Sequence, residues 1–166
     1  MNIRNEQPTD IQAITNVTIA AFVNHPISNQ TEHFIVNALR KADVLTISLV
    51  AEIDNQIVGH IAFSPVTISD GTNNWYGLGP ISVLPSHQKR GIGSALINQG
   101  LALLKEIGGN GCALVGDPNY YPRFGFKNCT QLFHEGVPPE VFFILPFTDS
   151  IPSGEVIFHE GFKANG

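Results

Sequence analysis

The chain has 166 residues, 43% of them hydrophobic and 14% charged, which is enough length for one domain with a real core and describes a globular rather than a disordered protein. A net charge of −5 and a pI near 5.6 argue against a general partner of nucleic acids or anionic membranes and leave amines among the substrates. The two cysteines, Cys112 and Cys129, lack metal-ligand spacing, so reduced thiols in a cytoplasmic protein are expected and a zinc site is not; nor is a signal peptide or a membrane span visible.

Met1 to Asn5 suits a short first strand. Pro8 to Phe22 reads as a helix, with Ile11, Ile14, Val17 and Ala21 at helical spacing and Pro8 at its start. Asn24 to Ser28 breaks it, and a second helix is expected from about Gln30 to Lys41, with Asn29 and Glu32 at capping-box-like spacing. Leu45 to Ile53 and Ile57 to Ile68 are apolar and β-branched around Asp54-Asn55-Gln56, which predicts a hairpin. After the turn Asp70-Gly-Thr-Asn-Asn74, Trp75 to Val83 forms a third consecutive strand. A long helix with a broad apolar stripe then runs to about Ile107 and stops at Gly108-Gly-Asn-Gly111. Cys112 to Val115 is a short buried strand, and a short helix through Tyr120 and Tyr121 closes at Gly125-Phe126. Glu140 to Phe147 and Glu155 to Phe162 read as the last two strands. The order β-αα-βββ-α-β-α-ββ predicts a single α/β domain over residues 1–166, with a mixed central sheet and helices on both faces.

The junction between the third strand and the long helix is the most informative stretch. A glycine-rich turn that opens a helix leaves backbone N–H groups unpaired at the positive end of the helix dipole, a cradle for phosphate. Three phosphate loops share this outline. A P-loop needs Gly-Lys-Ser/Thr at its end, but Ile92 follows Gly91, and Lys89 precedes the glycines. A dinucleotide fold needs a third Gly or Ala where Leu96 stands and a ribose-binding acid further on.

The third pattern is Gln/Arg-x-x-Gly-x-Gly/Ala after a strand ending in Val-x-Pro, matched by Val83-Leu-Pro85 and Gln88-Lys-Arg-Gly91-Ile-Gly93. This resembles the acetyl-CoA motif of the GNAT superfamily of N-acetyltransferases, whose fold has the element order derived above. The segments Val58 to Val66, Leu78 to Val83, Gly116 to Phe126 and Val156 to Phe162 are similar to those of small bacterial YhbS-like acetyltransferases.

The resemblance implies acetyl-CoA as co-substrate, no metal, and direct attack of a primary amine on the thioester within a ternary complex, the enzyme being a monomer or homodimer. It implies that the pantetheine arm pairs with the strand around Ile81 and Val83, with the Ile81 N–H as oxyanion donor. It places the pyrophosphate on the backbone of Gln88, Lys89, Arg90, Gly91, Ile92, Gly93 and Ser94, and a general acid at Tyr121, with Tyr120 beside it. A phenol stays protonated at neutral pH, as an acid must. Some relatives carry a glutamate base where Gly77 stands here. His60 and His159 are the candidate bases that remain, together with water, although a satisfied half-buried histidine is the favoured reading of each. Asn24, His25 and Glu32 lie where the fold walls its acceptor pocket, although turn and cap chemistry is the favoured reading of them. Phe133, Phe142, Phe143 and Phe147 fit either an apolar acceptor site or the core. The other readings are an acyl-CoA-binding module without chemistry, and a transferase using a longer acyl-CoA.

Overall fold

The computed structural model describes residues 1–166. Its strands are β1 (Asn2–Asn5), β2 (Ile47–Ile53), β3 (Gln56–Ile68), β4 (Trp75–Val83), β5 (Gly111–Val115), β6 (Leu132–Phe133), β7 (Phe142–Pro146) and β8 (Gly154–Phe158), and its helices are α1 (Ile11–Phe22), α2 (Glu32–Lys41) and α3 (Ile92–Glu106). The main sheet runs β1-β2-β3-β4-β5-β7. β1 to β4 are antiparallel neighbours, β4 and β5 are parallel, and β5 pairs antiparallel with β7.

Local chemistry explains the connections. Asp54 and Asn55 both adopt positive φ, 51° and 63°, the backbone that a two-residue turn needs to match the twist of its strands. The long β3 pairs with β2 and β4 through its first part, while its end, Val66 to Ile68, pairs with β8. A parallel β4–β5 pair requires a crossover, and α3 supplies it.

The two sheet faces are covered separately. On one, Ile92, Leu96, Ile97 and Leu104 of α3 pack on Leu49, Ile61, Phe63 and Leu78. A Cβ on Gly100 would come within 2.2 Å of the Phe63 ring, so glycine sets how closely α3 lies on the sheet. On the other face, Ile14 and Val17 of α1 and Val36 of α2 pack on Val50 and Ile57. No helix is long and apolar enough to cross a membrane.

The structure departs from the sequence-based expectation in four places. The short helix is a single 3-10 turn, Tyr121–Phe124, ended by Gly125 at φ 94°. Glu155 to Phe162 is not all strand: β8 stops at Phe158, and Glu160–Lys163 forms a 3-10 turn seated against Leu39 of α2. β6, two residues long, carries too little pattern to be read in advance. Helix α2 begins at Glu32 after Thr31, without a side-chain cap; Glu32 instead accepts from the Ser28 hydroxyl at 2.7 Å, so the expected Asn29–Glu32 box is absent.

Candidate active site

The site is built where β4 and β5 part. They pair only from Trp75 to Gly77 against Gly111 to Ala113, so the rest of β4 has no neighbour on that side. A bulge follows: Ile61 pairs with Ile81 but Phe63 with Leu78, which sets two residues of β4, Gly79 and Pro80, against the single Ala62 of β3. Proline suits such a place because it has no N–H to offer the ladder. Downstream, the Leu84 N–H donates to the Val58 carbonyl at 2.9 Å. Alternation along the strand therefore turns Ser82 toward β3 and turns the backbone of Ile81 and Val83 to the open edge. The Gln88 side chain caps that edge by donating to the Val83 carbonyl at 3.1 Å.

The turn that follows presents a row of donors. The first helical bond of α3 runs from the Ala95 N–H to the Gly91 carbonyl, and the backbone N–H groups of Lys89, Arg90, Gly91, Ile92, Gly93 and Ser94 donate to no backbone carbonyl; no side chain caps the helix either. Lys89 and Gly91 adopt left-handed conformations, φ 63° and 82°, which fold the turn into a concave nest of N–H groups. A Cβ at Gly91 would meet nothing within 4 Å, so glycine serves the backbone angle there rather than clearance. The Lys89 and Arg90 side chains are exposed.

Two tyrosines border the turn in different ways. A Cβ on Gly93 would lie 3.1 Å from the Tyr120 hydroxyl, which is itself 3.5 Å from the Ser94 Oγ; the Arg123 guanidinium sits 4.6 Å over the Tyr120 ring. Tyr121 is buried in the α3-side core and packs edge-on against Phe126 and Tyr120. Burial pushes its phenol up to about 12, so it is fully protonated at neutral pH.

His60 is fully buried, on the β3 face beneath α1, directly across from Ser82. Its Nε2 lies 2.8 Å from the Ser48 Oγ. Ser48 in turn bonds Glu6, whose carboxylate receives the Arg40 guanidinium at 2.7 and 2.8 Å. Burial opposes ionisation of Glu6, but the bonds from Arg40 and Ser48 together hold its carboxyl below the usual range. Burial dominates at His60 and lowers it to about 4, so the ring is neutral. The His60 Nδ1 and the Ser64 and Ser82 hydroxyls are buried and without a protein partner.

The remaining candidates disperse. Gly77 lies under the Phe158 ring, 2.8 Å from where its Cβ would stand, so no longer side chain fits without displacing that ring. His159 lies past the end of β8, where its Nδ1 accepts from the Gly161 N–H at 2.9 Å as a cap. The His25 Nδ1 accepts from Ile27 in the exposed loop after α1. Phe142 and Phe143 are core, Phe147 is partly buried and Phe133 is exposed, so they do not gather into one apolar pocket. Sequence reasoning did not find the Arg40–Glu6–Ser48–His60 chain, because three strand or loop segments and α2 build it. The one available signal was Ser48 within the apolar run Ile47 to Ala51.

A mixed sheet split between two parallel strands, with a nest of free N–H groups opening the helix between them, defines the GNAT fold. The chain belongs to the Acetyltransferase (GNAT) family, which matches it over residues 11–126. It is 34% identical over 128 residues to the uncharacterised N-acetyltransferase YhbS of Escherichia coli K12, a stretch covering 76% of this chain and 74% of that one. It is similar to the crystal structure of a Brucella melitensis GNAT acetyltransferase in complex with acetyl-CoA, at 50% identity and TM-score 0.87 over 97% of both chains. The Escherichia coli YhbS structure in complex with CoA superposes with TM-score 0.88 at 30% identity, over 99% of this chain and 93% of that one.

Proposed function

We propose that this protein is an acetyl-CoA-dependent N-acetyltransferase acting on a primary amine, working as a single cytoplasmic domain. The observation that carries the reading is the continuity of two donor surfaces. The free N–H groups of Lys89 through Ser94 lie at the end of the strand whose Ile81 backbone and Val83 N–H face the open edge. One suits a pyrophosphate and the other an extended amide-bearing arm. The bound acetyl-CoA of the Brucella relative and the CoA of YhbS support this pairing of ligand and surface.

The amine nitrogen attacks the thioester carbon, forming the C–N bond as the C–S bond breaks. The Ile81 N–H stabilises the charge that develops on the carbonyl oxygen, and Tyr121 gives its proton to the CoA thiolate. Gln88 holds the Val83 end of the edge in place. The acceptor enters from the side of α1 and α2, as either a small metabolite, an amino-acid derivative or a peptide amine.

The deciding experiment is thermal unfolding with and without acetyl-CoA, beside a Gly91→Val/Gly93→Val variant. Ligand at about 100 times its dissociation constant adds about 2.7 kcal/mol to a binding-competent protein, and the variant should lose that gain. No shift with acetyl-CoA, CoA or longer acyl-CoAs overturns the reading. A positive result leads to screening polyamines, amino-acid esters and peptides for CoA release. The Phe158 ring over Gly77 favours a second reading, an acyl-CoA-binding module without chemistry, since a glutamate base has no room there. Tyr121→Phe separates the two: an enzyme loses turnover and keeps its thermal shift, whereas a binding module has no turnover to lose.

A further inference from the structure

The hydrogen bonds around His60 determine which of its nitrogens carries the proton. Glu6 is ionised and accepts only, so the single Ser48 hydroxyl proton points to Glu6. The Ser48 oxygen can then only accept from the ring, which makes the Nε2 the protonated nitrogen at the 2.8 Å contact. The Nδ1 is left as a bare lone pair, fully buried and without a protein partner. Ser82 shares its sheet face and stands opposite it in register, and its hydroxyl is likewise buried and unpaired. Leaving such groups unpaired costs about 1–3 kcal/mol each, and a buried water held by several polar atoms removes that cost.

We propose that His60 is the general base of the acyl transfer, acting through a water held between its Nδ1 and the Ser82 hydroxyl, and that Glu6 and Ser48 are positioning residues that fix its tautomer. This rests on the acetyltransferase reading above. Ser82 lies between Ile81 and Val83, whose backbone forms the open edge, and its side chain shares with His60 the sheet face that α1 covers, the side from which the acceptor enters in that reading. As the C–N bond forms, the attacking nitrogen becomes an amide nitrogen, and its surplus proton becomes far more acidic than that of an ammonium. That proton passes to the water while the water gives one of its own to Nδ1. The resulting imidazolium is stabilised through Ser48 by the Glu6 carboxylate. It later loses the proton through the same water to solvent, which balances the proton that Tyr121 gives to the thiolate. A base that holds protons weakly is sufficient for this step, because the donor at that moment is a strong acid. Around His60, α1 contributes no ionisable side chain, β2 and β4 contribute only Glu52, paired with Arg4, and Tyr76, and the charges acting on the ring are those of Glu6 and Arg40.

The test combines spectroscopy with kinetics. In the 15N-histidine-labelled full chain saturated with CoA at pH 7, the His60 ring should be the neutral Nε2–H tautomer; the Nδ1–H tautomer or an imidazolium overturns the proposal. CoA release is then measured with acetyl-CoA alone, where water is the nucleophile, and with the amine panel named above. His60→Gln should lower kcat by about 10²–10⁴, and Ser48→Ala by about 10-fold or more with loss of the single tautomer. Both should keep the wild-type KM and thermal shift for acetyl-CoA, which reports that they are folded. Wild-type kcat in either folded variant overturns the proposal while leaving the acetyltransferase reading intact. A wild-type protein that binds acetyl-CoA but releases CoA to neither amine nor water overturns that reading, and the base role with it.

Discussion

Gly116 lies flat against the ring of Tyr121: a Cβ on the glycine would stand 2.3 Å from the Tyr121 Cε2 and 2.9 Å from its Cδ2. Side chains do not approach so closely, so the glycine is what lets the phenol reach its place at the end of β5. Gly116→Ala should therefore push the ring out of the core and cost about 1–3 kcal/mol through overpacking. Because Tyr121 is the proposed acid, kcat should fall at least about tenfold. The acetyl-CoA thermal shift should persist, since the donor row on Lys89 through Ser94 is untouched. Urea unfolding and steady-state kinetics on one preparation check both halves, and unchanged kcat would remove Tyr121 from the proton transfer.

Gly91 makes a different demand. Its φ of 82° lies in the left-handed region, and no atom stands within 4 Å of a Cβ placed there. Gly91→Ala should thus cost only the conformational penalty, about 1–2 kcal/mol, with no steric addition. The same strain loosens the nest, so acetyl-CoA affinity should fall more than kcat. Isothermal titration beside thermal unfolding measures the two effects. An alanine variant of full affinity would mean that the turn does not hold the pyrophosphate through its backbone.

What the sequence made legible was whatever repeats along the chain. Hairpin, helices and the glycine turn around Gly91 follow from period and turn chemistry within a few residues, whereas Ile81 and Val83 are singled out only through the family resemblance. The His60 network stayed hidden because its members lie 34 to 42 residues from Glu6 at Arg40 and Ser48 and meet only through strand pairing. Gly77 showed in the sequence as a missing glutamate, but that Phe158 fills its space depends on β8 reaching β3. The stretch Glu155 to Phe162 reads as one strand because it opens on the β-prone run Val156-Ile157-Phe158 and ends on a further aromatic, Phe162. The His159–Gly161 cap that ends it is a local side-chain choice without periodicity.

Restoring a glutamate at Gly77 should fail. The Phe158 ring occupies the position of the new side chain, with Cδ1 2.8 Å from the Cβ site and Val66 Cγ1 3.2 Å away on the same side. Gly77→Glu should lower the melting temperature sharply, as expected when a charge enters an apolar contact, and should not raise kcat. Adding Phe158→Ala makes room and should recover part of the stability without recovering activity beyond wild type. A Gly77→Glu protein that is stable and faster than wild type would show that the site lacks a base and welcomes one.

His60 should make the protein sensitive to acid in a defined window. Its folded pKa, about 4, lies below the unfolded value of about 6.5. Between those values the unfolded chain binds a proton that the folded one does not, so unfolding gains as pH falls. The contribution is complete above pH 6.5, declines progressively on acidification and is exhausted near pH 4; for a shift of this size it is of order 3 kcal/mol. Glu6 and Asp10, both held below the ordinary carboxylate range, act in the same direction but at lower pH, where their own protonation begins. Denaturant unfolding of wild type and His60→Gln from pH 8 to pH 4 isolates the histidine window. The variant should be less stable than wild type at pH 8, because its amide cannot satisfy the Ser48 contact as the ring does. The difference should narrow as pH falls through 6, since only wild type loses stability there. Parallel curves for the two proteins would mean that the buried ring takes up its proton with little cost, and that burial does not hold it neutral.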